Sequence, residues 1–270
     1  MRELWIAPLV VLAAVGLGVA SHSAQEWARR RLEASPRHQE WVTITYDRRT
    51  VHAFVVYPEV KTKAPVVIVI HENRGLTDWV RSVADQLAEA GVIAIAPDLL
   101  SGMAPGGGRT RDFPSEDAAR EAISKLPPEQ VMADLNAVAD YAARLPASNG
   151  KVAVAGFCWG GSQAFRFATH RPNLAAAFVF YGTGPRDQES LARIRCPVYG
   201  FYGGNDARVT ATVPETAEMM NHLGKTFEPV TYEGAGHGFM RTGEGPNPTD
   251  ANRKARDQAW MRWKELLKKL

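Results

Sequence analysis

Four small aliphatic residues, Val152-Ala153-Val154-Ala155, run directly into Gly156-Phe157-Cys158-Trp159-Gly160-Gly161, and a helical stretch to His170 follows. A strand that turns abruptly into a helix with a nucleophilic side chain at the corner leaves few folds available, because the corner must sit on one edge of a sheet. The glycines have a steric reason. The turn holds Cys158 in a strained backbone conformation, and the residues two positions to either side must lack a Cβ. The helix N-terminus favours thiolate over thiol, and the amide of Trp159 points to where an oxyanion would form. Cys158 is therefore the expected nucleophile.

The rest of the chain repeats the same alternation. Val42–Tyr46 and Val51–Tyr57 read as paired opening strands across the polar turn 47–50. Val66–Ile70, Val92–Ala96, Val152–Ala155, Ala176–Tyr181, Val198–Tyr202 and Phe227–Tyr232 are nearly continuous apolar runs, as expected of strands buried on both faces. Between them lie amphipathic stretches at Asp78–Ala90, Pro128–Leu145, Gly160–His170 and Val213–Leu223, with a last helix over Asp250–Leu270 carrying Trp260, Trp263, Leu266 and Leu267 at helical spacing. The order predicts an α/β fold, an eight-stranded and mostly parallel sheet with helices on both faces. Gly102–Ser115, rich in Gly and Pro with Arg109 and Arg111, reads as an irregular loop at the C-terminal edge, where ligand crevices form.

Composition narrows the function. The 270 residues, 45% apolar and 23% charged, suffice for one domain with a sizeable core and exclude a mostly disordered chain. A net charge of +3, dispersed along the chain, is no phosphate-binding footprint, so nucleic acid is excluded as the default partner. Two cysteines make neither a disulfide scaffold nor a CxxC zinc pair. Cys196 begins a strand, at the sheet edge opposite Cys158. A five-residue strand spans about 17 Å, far beyond the roughly 7 Å Cα limit for a disulfide, so Cys196 reads as a structural thiol.

A nucleophile at such a corner needs an acid and a base, in the chain order nucleophile, acid, histidine. Of seven histidines, His22 and His38 lie in the N-terminal segment, His52 in an early strand, and His170 and His222 near helix ends. Only His237 follows a late strand within a loop of small residues, Gly234-Ala235-Gly236-His237-Gly238. For the acid, Asp206 stands just past Val198–Tyr202 in Gly203-Gly204-Asn205-Asp206, whereas Asp187 precedes its strand and falls at the wrong end. All three loops open onto one edge. His237 would take the thiol proton, while Asp206 would fix its tautomer and stabilise the imidazolium.

The N-terminus carries a separate message. Leu4–Ala20 is charge-free and mostly aliphatic, follows Arg2, and ends in a small-residue site at Gly18-Val19-Ala20. Residues 1–24 read as a signal peptide or an N-terminal membrane anchor, which would export the protein or hold it against a membrane through residues 4–20. As a helix the run spans roughly 26 Å, slightly short for a bilayer core. Arg29-Arg30-Arg31 follow it and would keep the body of an anchored chain on the cytoplasmic face. Residues 25–40 read as a linker to a domain over 41–270.

From about Trp41 to Leu270 the sequence resembles the dienelactone hydrolase (carboxymethylenebutenolidase) family of α/β-hydrolases. The carriers are His71-Glu72-Asn73-Arg74-Gly75, Ala96-Pro97-Asp98-Leu99, Ser148-Asn149-Gly150-Lys151-Val152, the Cys158 elbow, Tyr202-Gly203-Gly204-Asn205-Asp206 and Gly236-His237-Gly238-Phe239, all in order. The resemblance implies a Cys158–His237–Asp206 triad, with Asn73 supplying the second oxyanion amide beside Trp159. It implies that Glu72 holds the resting thiol and takes part in forming the thiolate; the alternative for Glu72 is a salt bridge to Arg74 or Arg81. Of two arginines that bind the substrate carboxylate in the family, one is matched by Arg241. The other is replaced by Gly102, so compensation would have to come from Arg109 or Arg111. Trp159, Tyr181 and Phe239 would line the site or belong to the core.

The expected activity is hydrolysis of a small-molecule ester or lactone through an acyl-cysteine, with no metal or organic cofactor implied. Thioesterase or broad carboxylesterase action by the same triad is the alternative within the class. A non-catalytic binding protein is the alternative outside it.

Overall fold

A computed structural model describes residues 25–270. The chain opens with helix α1 (Glu26–Ala34), hairpin strands β1 (Gln39–Tyr46) and β2 (Arg49–Val56), and β3 (Ala64–Ile70). Helix α2 (Asp78–Glu89) leads to β4 (Ile93–Asp98), and α3 (Glu116–Ser124) and α4 (Pro128–Ala143) lead to β5 (Ser148–Phe157). The second half runs α5 (Trp159–His170), β6 (Ala177–Phe180), α6 (Gln188–Ala192), β7 (Val198–Gly203), α7 (Ala207–Thr210), α8 (Val213–His222), β8 (Phe227–Tyr232), α9 (Phe239–Thr242) and α10 (Asp250–Leu267). The eight strands form one sheet in the order β1-β2-β4-β3-β5-β6-β7-β8. The β1–β2 and β2–β4 pairs are antiparallel and every later pair is parallel. It is an α/β-hydrolase fold.

The continuous apolar runs serve two cores at once. Along β3, Val66, Ile68 and Ile70 face the layer that α4, α5 and α8 cover, and Val67 and Val69 face the layer of α1, α2 and α10. A strand buried on both faces has no polar side to alternate with. On the second face Trp263 is fully buried and packs 4.7 Å from the Phe180 ring, so the aromatic stripe of the last helix is core. Because β3, β5, β6, β7 and β8 are parallel, the loops after all five open on one edge.

Two segments differ from expectation. Residues 25–40 are not a linker. They contain α1, whose Ala28 and Leu32 are buried against the α2 layer, and Gln25 accepts a hydrogen bond from the Trp79 amide at 2.8 Å at the start of α2. Arg37 then pairs with the fully buried Asp85 at 2.7 Å. With only two buried residues and Glu26–Arg29 and Arg29–Glu33 pairs on its surface, the helix reads as solvated chain. Its docking depends on partners far along the sequence. The second is Glu116–Ser124: the loop after β4 ends at Ser115 as expected, but the chain beyond it is helix α3, capped by Ser115 and absent from the expected elements. Among the described residues no helix is long and apolar enough to cross a membrane. The expected signal or anchor over residues 1–24 lies outside them, as does His22.

Candidate active site

At the elbow Cys158 has φ 56° and ψ −116°, a conformation that side chains rarely adopt. The neighbouring glycines make it possible. A Cβ on Gly156 would lie 1.9 Å from the Gly160 carbonyl oxygen, and one on Gly160 would lie 2.3 Å from the His71 carbonyl. The turn is also anchored from the next strand, because the Cys158 amide donates to the Phe180 carbonyl at 3.0 Å. Strain is thus imposed by packing on three sides, and it aims the sulfur out of the sheet edge.

The loops after β7 and β8 meet this corner. They are bound to each other: Gly204 N–H donates to Tyr232 at 2.8 Å, Asn205 N–H to Ala235 at 2.9 Å, and the Asn205 side chain to Gly234 at 3.1 Å. From α10, Asn252 accepts from the Gly236 amide at 2.9 Å. Held this way, His237 Nε2 lies 3.0 Å from Cys158 Sγ and Nδ1 lies 2.5 Å from the Asp206 carboxylate. The three residues are therefore joined in one hydrogen-bonded chain. The bond to Cys158 and the Asp206 carboxylate together push the His237 pKa up to about 9, against the opposing effect of burial.

A cavity of about 300 Å³ lies over the sulfur, lined by Asn73, Trp159, Ser162, Tyr181, Thr183, Arg208 and others. Asn73, in the loop after β3, and Trp159, the first residue of α5, thus flank Cys158. His71 supports them from behind. It is fully buried, stacks on Trp159 at 5.5 Å, and its Nδ1 lies 2.7 Å from the Glu72 carbonyl. Burial holds its pKa below the ordinary histidine value, so the ring is neutral and Nδ1 is the donor. Tyr181 lines the cavity too, with a positive φ of 41° and a buried hydroxyl without a partner. Phe239, by contrast, is core, packed 5.4 Å from Tyr181.

Other expected residues stand elsewhere. Glu72 does not contact Cys158. Its carboxylate accepts from Arg241 Nε at 2.7 Å, because a carboxylate this buried needs a counterion and α9 places Arg241 beside it. Nor does Glu72 pair with Arg74, which bridges to Glu116 at 3.0 Å, or with Arg81, which bridges to Asp78. Arg241, so engaged, is not among the residues lining the cavity. Arg109 stacks over the Trp41 ring at 4.0 Å and Arg111 pairs with Asp112 at 3.6 Å, so neither replaces the unmatched arginine. The guanidinium that does line the cavity is Arg208, on α7, two residues past the acid. That spacing after Asp206 was its only sequence signal. Cys196 is a free, buried thiol, pushed up to about 11 by burial.

Comparison with known proteins bears on the family and the fold. Residues 51–270 match the dienelactone hydrolase family. A carboxymethylenebutenolidase of Pseudomonas putida is 32% identical over 203 residues, 73% of this chain and 84% of its own. Among solved structures, a dienelactone hydrolase-like promiscuous phosphotriesterase from metagenomic libraries superposes with a TM-score of 0.71 at 21% identity, covering 87% of this chain and 98% of that one. A Pyrobaculum calidifontis esterase does so at 0.64 and 18%, covering 91% of each, and both likenesses are of fold. With the match running from the second strand to the C-terminus, the chain belongs to the dienelactone hydrolase family, enzymes that hydrolyse lactones and esters.

Proposed function

We propose that the protein hydrolyses its ester or lactone through an acyl-cysteine formed on Cys158. The observation that carries this is the unbroken hydrogen-bonded run from Cys158 Sγ through His237 to Asp206 beneath an open cavity. His237 takes the thiol proton and the sulfur attacks the carbonyl carbon. The resulting oxyanion is held by the amides of Asn73 and Trp159, neither of which donates to a turn, loop or cap carbonyl among the described residues. The tetrahedral adduct collapses, the C–O bond breaks, and His237 returns its proton to the leaving oxygen. In a lactone that oxygen stays tethered to the acyl group. Water, deprotonated by the same imidazole, then attacks the thioester and releases the acid and the free cysteine.

In this reading Arg241 neutralises Glu72, and Arg208 supplies the positive charge that a carboxylated substrate meets near the scissile bond. Glu72 acts on the thiol only through a rearrangement that releases it from Arg241. The apolar run Leu4–Ala20 supports export or membrane attachment, which fractionation of cells expressing the full chain would test.

The deciding experiment compares the wild-type chain with Cys158→Ala on an aryl acetate, a plain lactone, a carboxylated dienelactone and an acyl thioester. Turnover by wild type with a trapped acyl-enzyme, and none by the variant, is the expected result. Equal activity of the two would overturn the assignment of Cys158. Preference for the thioester would move the reading to thioesterase.

A further inference from the structure

Beside the catalytic cavity lies a second one of about 410 Å³, whose lining includes Ser162, Gln163, Arg166, His170, Thr183 and Arg193. Ser162 and Thr183 line both spaces, so the two cavities adjoin at this pair. Their closeness follows from Gly182, where a Cβ would lie 2.3 Å from the Ser162 amide nitrogen. The chain leaving β6 therefore lies directly against the first turn of α5. Thr183 N–H donates to Ser162 Oγ at 2.9 Å, and the two hydroxyls are 3.2 Å apart.

Ser162, Arg166 and His170 recur every fourth residue and so share one face of α5. The second cavity thus extends along the helix that begins at the nucleophile. At the α-helical rise, Arg166 stands about 11 Å along the axis from Trp159.

The lining is polar and carries two guanidiniums, Arg166 and Arg193, against one carboxylate, Asp187. Asp187 caps α6, accepting from Ser190 N–H at 2.7 Å. Arg193 pairs with Glu189 at 3.2 Å across an exposed surface, whereas Arg166 enters no ion pair among the described residues. The Gln163 amide oxygen is shielded from solvent and has no hydrogen-bond partner among the described residues. A tail with an uncharged end would leave Arg166 without a counter-charge, whereas a carboxylate end supplies one.

We propose that this cavity is a subsite for the acyl part of the substrate, selecting a chain that ends in a carboxylate held by Arg166. The proposal rests on the hydrolase reading above and adds the substrate class: esters whose acyl group carries a distal anion. Charge close to the scissile bond would fall to Arg208 instead, so chain length separates the two.

The test uses the full chain, with Arg166→Met and Arg166→Lys, on aryl monoesters of acetic, succinic, adipic and azelaic acids. In wild type, kcat/KM relative to the acetate should rise toward the azelate. Arg166→Met should lower the azelate-to-acetate ratio about tenfold, through KM, and Arg166→Lys should restore most of it. A flat series, or a ratio unmoved by Arg166→Met, would overturn the subsite while leaving the hydrolase reading intact. If no ester is turned over, the hydrolase reading fails separately. Calorimetric titration of azelate into Cys158→Ala then decides the subsite, which falls if azelate does not bind or binds equally after Arg166→Met.

Discussion

Asp206 and Glu72 are both buried carboxylates on loops at the C-terminal edge of the sheet, and each meets one basic side chain across a short hydrogen bond. Their partners make them different. Asp206 faces an imidazole that can gain and lose a proton and whose second nitrogen reaches the Cys158 sulfur. Glu72 faces a guanidinium that keeps its charge at any working pH, and that contact ends there. The first pair can move a proton; the second can only hold a loop. Burial alone therefore does not mark a catalytic carboxylate, and what stands behind its partner does.

The largest effect expected along this comparison is from Asp206→Asn. It should cut kcat by about four orders of magnitude with the fold retained, since the imidazole loses both its tautomer and its counter-charge. Steady-state kinetics beside a circular-dichroism melt would check it. Glu72→Gln should do the reverse, costing about 3 kcal/mol of stability by leaving Arg241 unpaired. Glu72→Gln combined with Arg241→Met should recover much of that loss in urea unfolding. If Glu72→Gln instead abolishes thiol alkylation at unchanged stability, Glu72 belongs with the catalytic groups after all.

The histidine pair should also respond to pH. His237 is raised from the ordinary 6.5 to about 9, so its pairing contributes stability in full below about pH 6.5. That contribution is lost as pH rises through about 9. Thermal midpoints of wild type and His237→Gln, measured from pH 6 to 10, should converge as pH rises. A constant gap would remove the raised pKa from the account. The smallest effect is expected from Arg208→Ala, which should lower kcat/KM for a carboxylated ester by about threefold and leave a neutral one nearly unaffected. The difference should shrink with salt, as for any exposed charge.

Much of this was legible in the chain. Periodicity and run length identified eight strands and the five longest helices between and after them, because a strand buried on both faces and a helix buried on one leave distinct patterns. The elbow was legible because its glycines are local steric requirements, and the late histidine because a loop of small residues follows its strand. Helix α1 was not legible, since Ala28 and Leu32 are its only buried residues and its anchors, Asp85 and Glu244, come much later in sequence. Nor was the fate of Arg241, where resemblance pointed to substrate and the structure gives it to Glu72.

By itself, then, the sequence determined the α/β layering, the corner that presents Cys158, and the chain order in which Asp206 and His237 follow it. These depend on hydrophobic period, on glycine at fixed offsets and on which end of a strand a loop follows, all of which are local. Only the tertiary structure decided which cation neutralises Glu72, that Arg208 is the guanidinium at the cavity over Cys158, and that Ser162 and Thr183 line both that cavity and a second one. Ion pairs and cavity walls are made by residues distant in sequence, and any of several arginines could have served until the fold placed one within reach.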